Sequence, residues 1–175
     1  ELIERIKDSA NRDYLTGAYN RRYFFDVGQQ LYENATANAT PLAAVVLDLD
    51  NFKLINDAHG HEAGDLILKR VTQVLNECLG RFLVARAGGE EFFVLLPWLD
   101  NEKALSLISK VRQIVVSTPV SYNEEEIFFT FSAGITNKLK ASIDEQINWA
   151  DVLLYRAKEA GRDILIGDDD DDDLL

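Results

Sequence analysis

Two apolar rhythms alternate along the chain, one of helical period and one of strand length. Residues 21–34 place Tyr23, Phe24, Val27 and Leu31 on one helical face. Residues 63–79 do the same with Ile67, Val71, Val74, Leu75 and Cys78, and Gly80 stops the pattern. Residues 101–116 carry Ala104, Ile108, Val111 and Val115 on one face and are closed by Pro119. Ser142 and Glu145 have the spacing of a capping box and open a helix that runs to Ala160 and ends at Gly161. Between these lie five strand-like runs. Residues 42–48 form a continuous apolar run ending in acids, the pattern of a buried strand. Residues 82–86 and 91–96 are joined through Gly88-Gly89, which suits a tight hairpin turn with positive φ angles. Residues 127–135 are rich in β-branched and aromatic side chains, and residues 164–166 make a short last strand.

The remaining segments read as connections and ends. Residues 1–11 are charged and carry Leu2, Ile3 and Ile6, either as the end of a longer helix from a larger protein or as a plain helical leader. Thr16-Gly17 signals a turn, and residues 34–41 are small and polar, as in a loop. The acidic run after Gly167 has no means of packing and is expected to be disordered. The organisation expected is residues 1–12 as the end of an N-terminal helix, 13–167 as one α/β (α+β) domain, and 168–175 as a disordered acidic tail.

Charge and composition narrow the function classes. The 175 residues carry 18 basic and 30 acidic side chains, for a net charge of −12. Six of the acids form the run Asp168 to Asp173, so the body without them carries −6. No basic surplus exists to neutralise a nucleic-acid polymer. At 47% hydrophobic and 10% aromatic the chain can build a core. Its longest apolar stretch, residues 42–47, is far short of the ~18 residues a membrane span needs, so this domain is expected to make no membrane contact. No signal-peptide pattern opens the chain, and one cysteine, Cys78, forms no internal disulfide. A reducing, cytoplasmic setting is the simple reading, with a parent protein that could itself be membrane-anchored.

Candidate chemistry gathers at two places. Asp48-Leu49-Asp50 closes the buried strand, and strand alternation puts its two carboxylates on opposite faces unless the chain turns there. An acid at that exit either holds a hard cation such as Mg²⁺, which takes oxygen ligands and shares itself with phosphates, or caps the next turn. In Gly88-Gly89-Glu90-Glu91 the glycines let a phosphate approach the backbone, and two acids open an apolar strand. The alternative is a solvated turn with charged shoulders.

The segment between these places shifts the balance. From Asp48 to Asp65 the chain meets every specified position of D-x-D-x-F-K-x-x-N-D-x-x-G-H-x-x-G-D. Upstream, Asp13, Leu15, Thr16, Gly17, Asn20, Arg21 and Arg22 fit D-x-L-T-G-x-x-N-R-R, and residues 150–162 fit a closing helix. With Gly88-Gly89-Glu90-Glu91-Phe92, the chain resembles the GGDEF family of diguanylate cyclases, in the variant with Glu in the third place, over about residues 13–166.

The resemblance implies a central, mainly antiparallel five-stranded sheet wrapped by helices, similar to nucleotidyl-cyclase and polymerase-palm cores. It implies condensation of two GTP molecules into cyclic di-GMP and two pyrophosphates, with Mg²⁺ or Mn²⁺, at a homodimer interface, and regulation by an N-terminal sensor domain in the full-length protein. By the same resemblance Asp48, the carbonyl of Leu49 and Glu90 hold the metal, and Glu90 is a candidate general base. Lys53 contacts phosphate and stabilises developing charge. Lys158 and Arg162, four apart near a helix end and sharing a face, reach the terminal phosphates or else compensate the helix dipole. Phe52, Gly88 and Gly89 line the substrate site. Asn56 and Asp65 match guanine-binding positions. An acceptor-only carboxylate suits guanine N1–H and N2–H₂, so GTP should be used and ATP rejected. His61 reads as structural. The alternative is a degenerate member that senses nucleotide or only mediates dimer contact, and intact Asp48, Lys53, Asn56, Asp65 and Glu90 speak against it. The chain departs from the family pattern in two ways. The inhibitory product site of many members needs Arg and Asp where this chain has Leu79 and Phe82, with Arg81 out of register, so no such site is expected. Ala87 replaces the usual aromatic before the glycines.

Overall fold

The structure, a computed structural model, describes residues 1–169. Its first half contains α1 (Leu2–Asn11), β1 (Tyr19–Asn20), α2 (Arg21–Asn38), β2 (Leu42–Leu49), α3 (Phe52–His59), α4 (His61–Leu79) and β3 (Leu83–Gly88). The second half contains β4 (Glu91–Pro97), α5 (Asn101–Ser117), β5 (Val120–Tyr122), β6 (Glu125–Ile127), β7 (Phe131–Thr136), α6 (Ile143–Glu159) and β8 (Leu165–Ile166).

β2 reads as continuously apolar because both of its faces are covered. Ala43, Val45, Leu47 and Leu49 enter one core with α4 and α5, while Leu42, Ala44 and Val46 enter a second with α2 and α6. Each fully buried Val or Leu contributes roughly 1.5–3 kcal/mol of transfer free energy, so this doubly buried strand anchors the domain. It pairs antiparallel with β4 on one side and β7 on the other. The sheet order is β1-β3-β4-β2-β7-β8, and β5 and β6 form a separate hairpin.

The sheet has six strands rather than the expected five. The sixth, β1, has two residues and pairs parallel with Ala85 and Arg86 at the edge, too short to carry a periodic signal. Both edge pairings, β1 with β3 and β7 with β8, are parallel, and the four inner strands run antiparallel. The single strand expected over 127–135 breaks at 128–130, leaving Ile127 to end β6 and Phe131 to start β7. The loop expected over 34–41 is instead helical to Asn38, and α2 stops where Ala39 turns left-handed at φ 52°.

The capping box at α6 forms with one shift. Ser142 Oγ accepts from Glu145 N at 3.1 Å, while Glu145 Oε2 accepts from Ala141 N rather than from Ser142. The expectation that nothing packs after Gly167 fails at its first residue. The Asp168 carboxylate accepts from Thr136 Oγ1, Asn137 N and the Trp149 indole at 2.8–3.2 Å and ties the end of β8 to β7 and α6. The rest of that expected tail, residues 170–175, lies outside the described residues.

Candidate active site

Asp48 and Glu90 are 42 residues apart in sequence, and strand register brings them together. β2 pairs with β4 so that Asp48 faces Glu91, and Leu49 N donates to Glu90 O at 3.2 Å, fastening the hairpin tip to the end of β2. Asp48 is largely buried, and burial pushes its carboxyl above the usual range. Lys158 Nζ, 3.0 Å from Asp48 Oδ1, opposes the rise, and the charges of Glu90 and Asp50 add to it. Asp48 Oδ1 makes no aligned hydrogen bond among the described residues.

The second acid of the D-x-D has a different task. Asp50 is 4% exposed, and its carboxylate accepts from Thr130 Oγ1 and Ser132 Oγ at 2.6 Å each and from Asp163 N at 2.9 Å. It stitches the exit of β2 to the 128–130 loop, to β7 and to the chain beyond α6. Asn51 then turns left-handed at φ 54° and starts α3.

At the hairpin, Gly88 (φ 153°) and Gly89 (φ 49°) both take conformations that favour glycine. Gly88 still pairs with Glu91 across a bulge, so the tight turn is centred on Gly89 and Glu90 rather than on the two glycines. Arg86 braces it, donating from Nε to Gly89 O at 2.9 Å and from its terminal nitrogen to both oxygens of Asp13 at 3.0–3.2 Å. Burial works to raise the Asp13 carboxyl, but hydrogen bonds from Thr16 and Arg86 hold it below its usual value, so Asp13 stays an anionic anchor. Glu91, which the sequence left without a role, is half-buried. Burial raises its carboxyl, the charges of Asp151 and Asp48 raise it further, and Arg21 and Lys158 oppose them. No local sequence signal marks it, because only the register of β2 on β4 places Glu91 opposite Asp48.

The cations are spread over three segments. Lys53 is exposed in the first turn of α3, and Lys158 sits at the end of α6 against Asp48. Arg162 does not share a helical face with Lys158: α6 ends at Glu159, Gly161 takes φ 114°, and Arg162 follows at φ 65°, with its N–H donating to Ala157 O at 3.1 Å. One turn further along α3, Asn56 presents a buried Oδ1 with no hydrogen-bond partner among the described residues. Gly64 lies so close that an added Cβ would fall 1.9 Å from that oxygen and 3.1 Å from Phe52 Cζ. Asp65 is the next residue, half-buried on α4. His61 is exposed at the start of α4 and touches none of these groups by hydrogen bond or ion pair.

Two oxygen sources on β2 and one on the hairpin suit a hard cation. Among the described residues no three acidic, His or Cys side chains converge into a complete cage. The crowding of the buried Asp48 carboxylate by Glu90 and Asp50, opposed by Lys158 alone, fits a cation there. A cavity of about 580 Å³ lies elsewhere, between α2 and the α4–β3 turn, with Tyr23, Arg81, Phe82 and Trp98 in its wall. In that region Leu79 is fully buried and the Arg81 guanidinium lies over the Phe82 ring at 4.9 Å. No described helix is long and apolar enough to cross a membrane.

Residues 10–164 match the family described as diguanylate cyclase, GGDEF domain. Diguanylate cyclase DgcP of Pseudomonas aeruginosa is 38% identical over 168 residues, which cover 93% of this chain and 25% of DgcP. Diguanylate cyclase DgcM of Escherichia coli is 37% identical over 163 residues, covering 92% of this chain and 39% of DgcM. The chain therefore spans well under half the length of these relatives. Among solved structures, diguanylate cyclase SiaD of Pseudomonas aeruginosa, in complex with its activator SiaC, superposes with a TM-score of 0.89 at 31% identity, over 95% of this chain and 65% of SiaD. The coiled coil and GGDEF domain of DgcB from Caulobacter crescentus, in complex with c-di-GMP, also reaches 0.89, at 27% identity over 95% of this chain and 90% of that one. The chain belongs to the GGDEF family, that of the diguanylate cyclases.

Proposed function

We propose that this domain condenses two GTP molecules into cyclic di-GMP, releasing two pyrophosphates. The observation that carries the reading is the junction of β2 with the β3–β4 hairpin, where Asp48, the Leu49 backbone and Glu90 meet in a crowd of acids. Asp48, the Leu49 carbonyl and Glu90 would hold Mg²⁺ or Mn²⁺. Such an ion would neutralise triphosphate charge and acidify the attacking 3′-hydroxyl.

The chain's own groups do the rest. Positive φ at Gly88 and Gly89 leaves the backbone open to a phosphate. Lys53 and Arg162, both exposed, are free to take phosphate oxygens. Lys158, which neutralises Asp48 in this structure, can turn to the same oxygens once another cation takes over that carboxylate. Glu90 would accept the hydroxyl proton. Phe52, Asn56 and Asp65 form the guanine site, where the unpartnered Asn56 Oδ1 and the Asp65 carboxylate offer acceptors to N1–H and N2–H₂. Adenine has no such donor pair.

In each condensation the 3′-oxygen of one GTP forms a bond to the α-phosphorus of the other, and pyrophosphate leaves. One domain binds one GTP, so two domains must face each other as a homodimer. The exposed Leu2, Ile3 and Ile6 of α1 lie near the spacing of a coiled-coil seam. In a cytoplasmic setting, they would relay the state of an N-terminal sensor domain.

Incubating the chain with GTP and Mg²⁺ and assaying cyclic di-GMP tests the reading. Specific activity is expected to rise with protein concentration until dimers saturate, because a ten-residue helix is too short to pair domains strongly. Constant specific activity across a wide dilution series would contradict assembly as the rate control, and no product at any concentration would contradict the activity. A second expectation concerns feedback. Buried Leu79 and the apolar Phe82 offer neither guanidinium nor carboxylate, so cyclic di-GMP titrated calorimetrically without GTP should show no micromolar binding at this turn. Micromolar heat lost on Arg81→Ala would overturn that.

A further inference from the structure

We infer that the β5–β6 hairpin is a clasp across the joint between α3 and α4, and that Tyr122 and Glu125 are positioning residues for base selectivity. The inference rests on the reading of Asn56 and Asp65 as the guanine site.

The joint is a single residue. Gly60 ends α3 and begins α4 at φ 92° and ψ 164°; on the inner side the helices touch where Gly64 meets Asn56 and Phe52, while an added Cβ at Gly60 itself would meet nothing within 4 Å, so the outer side of the joint is open. Asn56 lies on one side of it and Asp65 on the other. A base read by both residues requires the two helices to keep one mutual angle.

The hairpin adds a constraint on that open side, at two points. On the α4 side, the Tyr122 hydroxyl donates to Glu62 Oε2 at 3.0 Å. That hydrogen bond pushes the phenol above its usual value and keeps it a donor. On the α3 side, Glu125 Oε2 lies 3.5 Å from Nδ1 of His59, the last residue of α3. Glu62 and His59 flank Gly60 within two residues on either side. The hairpin is itself firmly seated. Val120 and Ile127 are buried in the core, and Asn123 and Glu124 close its turn in left-handed conformations at φ 50° and 65°. Tyr122 also shares the wall of a cavity of about 260 Å³ with Glu62, Asp65, Leu66 and Lys69, so it touches the neighbourhood of the base reader directly.

The clasp acts on the base and not on the phosphates: of their partners, Lys53 stands in the first turn of α3 beside the Asp50 tie, seven residues before Gly60, and the others stand on the β3–β4 hairpin, at the end of α6 and just beyond it. Its loss should therefore lower the preference for guanine over adenine without weakening binding of the triphosphate common to both. The probes are the α,β-methylene analogues of GTP and ATP, which cannot be cleaved between the α and β phosphorus, titrated calorimetrically into the 175-residue chain with Mg²⁺. Tyr122→Phe keeps the ring in place and removes the hydrogen bond. It is expected to reduce the ratio of the two affinities about threefold to tenfold while the ATP analogue binds as before. Glu62→Gln still offers an acceptor and should keep the ratio within about twofold. Glu125→Ala, on the exposed hairpin tip where folding is not at stake, should lower the ratio in the same direction.

Asp65→Asn separates the two ideas. If it collapses the ratio while Tyr122→Phe and Glu125→Ala leave it unchanged, the clasp is wrong and the guanine site stands. If none of the three moves it, the guanine site is wrong and the clasp falls with it. A Tyr122→Phe chain that loses affinity equally for both analogues would show a general structural role and would also overturn the inference.

Discussion

Asp48→Ala and Glu90→Ala are each expected to abolish cyclic di-GMP formation, and Glu90→Gln is expected to fail as completely. Losing a partner that merely orients a metal ligand typically costs about 10- to 100-fold. Losing one of the few groups that touch the ion directly should cost more than that. An amide is a weaker Mg²⁺ ligand than a carboxylate and is no base, so the isosteric Glu90→Gln removes both proposed roles while keeping the shape of the turn. The fold should survive these changes. Burial and the charges of Glu90 and Asp50 make ionised Asp48 unfavourable where only Lys158 opposes them. The raised carboxyl means that the ionised form weighs against folding at neutral pH, and Asp48→Asn removes that weight. Without divalent cations, Asp48→Asn should therefore melt no lower than the parent while its activity is gone. Turnover near the parent's in Glu90→Gln would sink the assignment of Glu90.

How much of this was visible in the sequence depends on the kind of signal each element carries. β2 and α4 to α6 were readable because long apolar periodicities survive any tertiary detail. α3 was not read as a helix. Its eight residues, Phe52–His59, include no fully buried side chain, so no apolar stripe of helical period marks it. β1 and the β5–β6 hairpin, at two and three residues per strand, are shorter than any period that could announce them.

At the site, motif spacing supplied residue identities but not geometry. Asp48 and Asp50 look equivalent in D-x-D, yet three hydrogen bonds from residues 80 to 113 positions away make Asp50 a structural tie and leave Asp48 exposed to its acidic neighbours. The pairing of Lys158 with Arg162 on one helical face failed for a local reason. Gly161, at φ 114°, lets the chain leave the helix between them. The fastening of Glu90 beside Asp48 is a matter of sheet register, and no local window of sequence contains both strands.

Gly134→Ala should be among the most damaging single-methyl changes this fold can suffer, and it tests whether the α6–β7 contact sets the site. A Cβ at Gly134 would fall 2.0 Å from Ala150 O, 2.4 Å from Leu154 N and 2.8 Å from Leu153 Cβ. Two of those three atoms are helix backbone, which has no rotamer to swing away, so α6 as a whole must retreat from the sheet. Overpacking of a tight core usually costs about 1–3 kcal/mol. A rigid backbone obstacle puts this case at or above the top of that range, a large part of the roughly 5–15 kcal/mol that holds a domain folded. Gly89→Ala provides the contrast. Nothing lies within 4 Å of its added Cβ, and its φ of 49° costs an L residue only about 1–2 kcal/mol. Denaturant midpoints of the two variants should therefore separate clearly, with Gly134→Ala the lower. The same retreat would draw Lys158, near the end of α6, away from Asp48 on β2. Under conditions where Gly134→Ala is still folded, its affinity for the GTP analogue should fall through the phosphates, so that the ATP analogue weakens in parallel. Equal midpoints for the two variants would mean that α6 is held less tightly against β7 than the geometry requires.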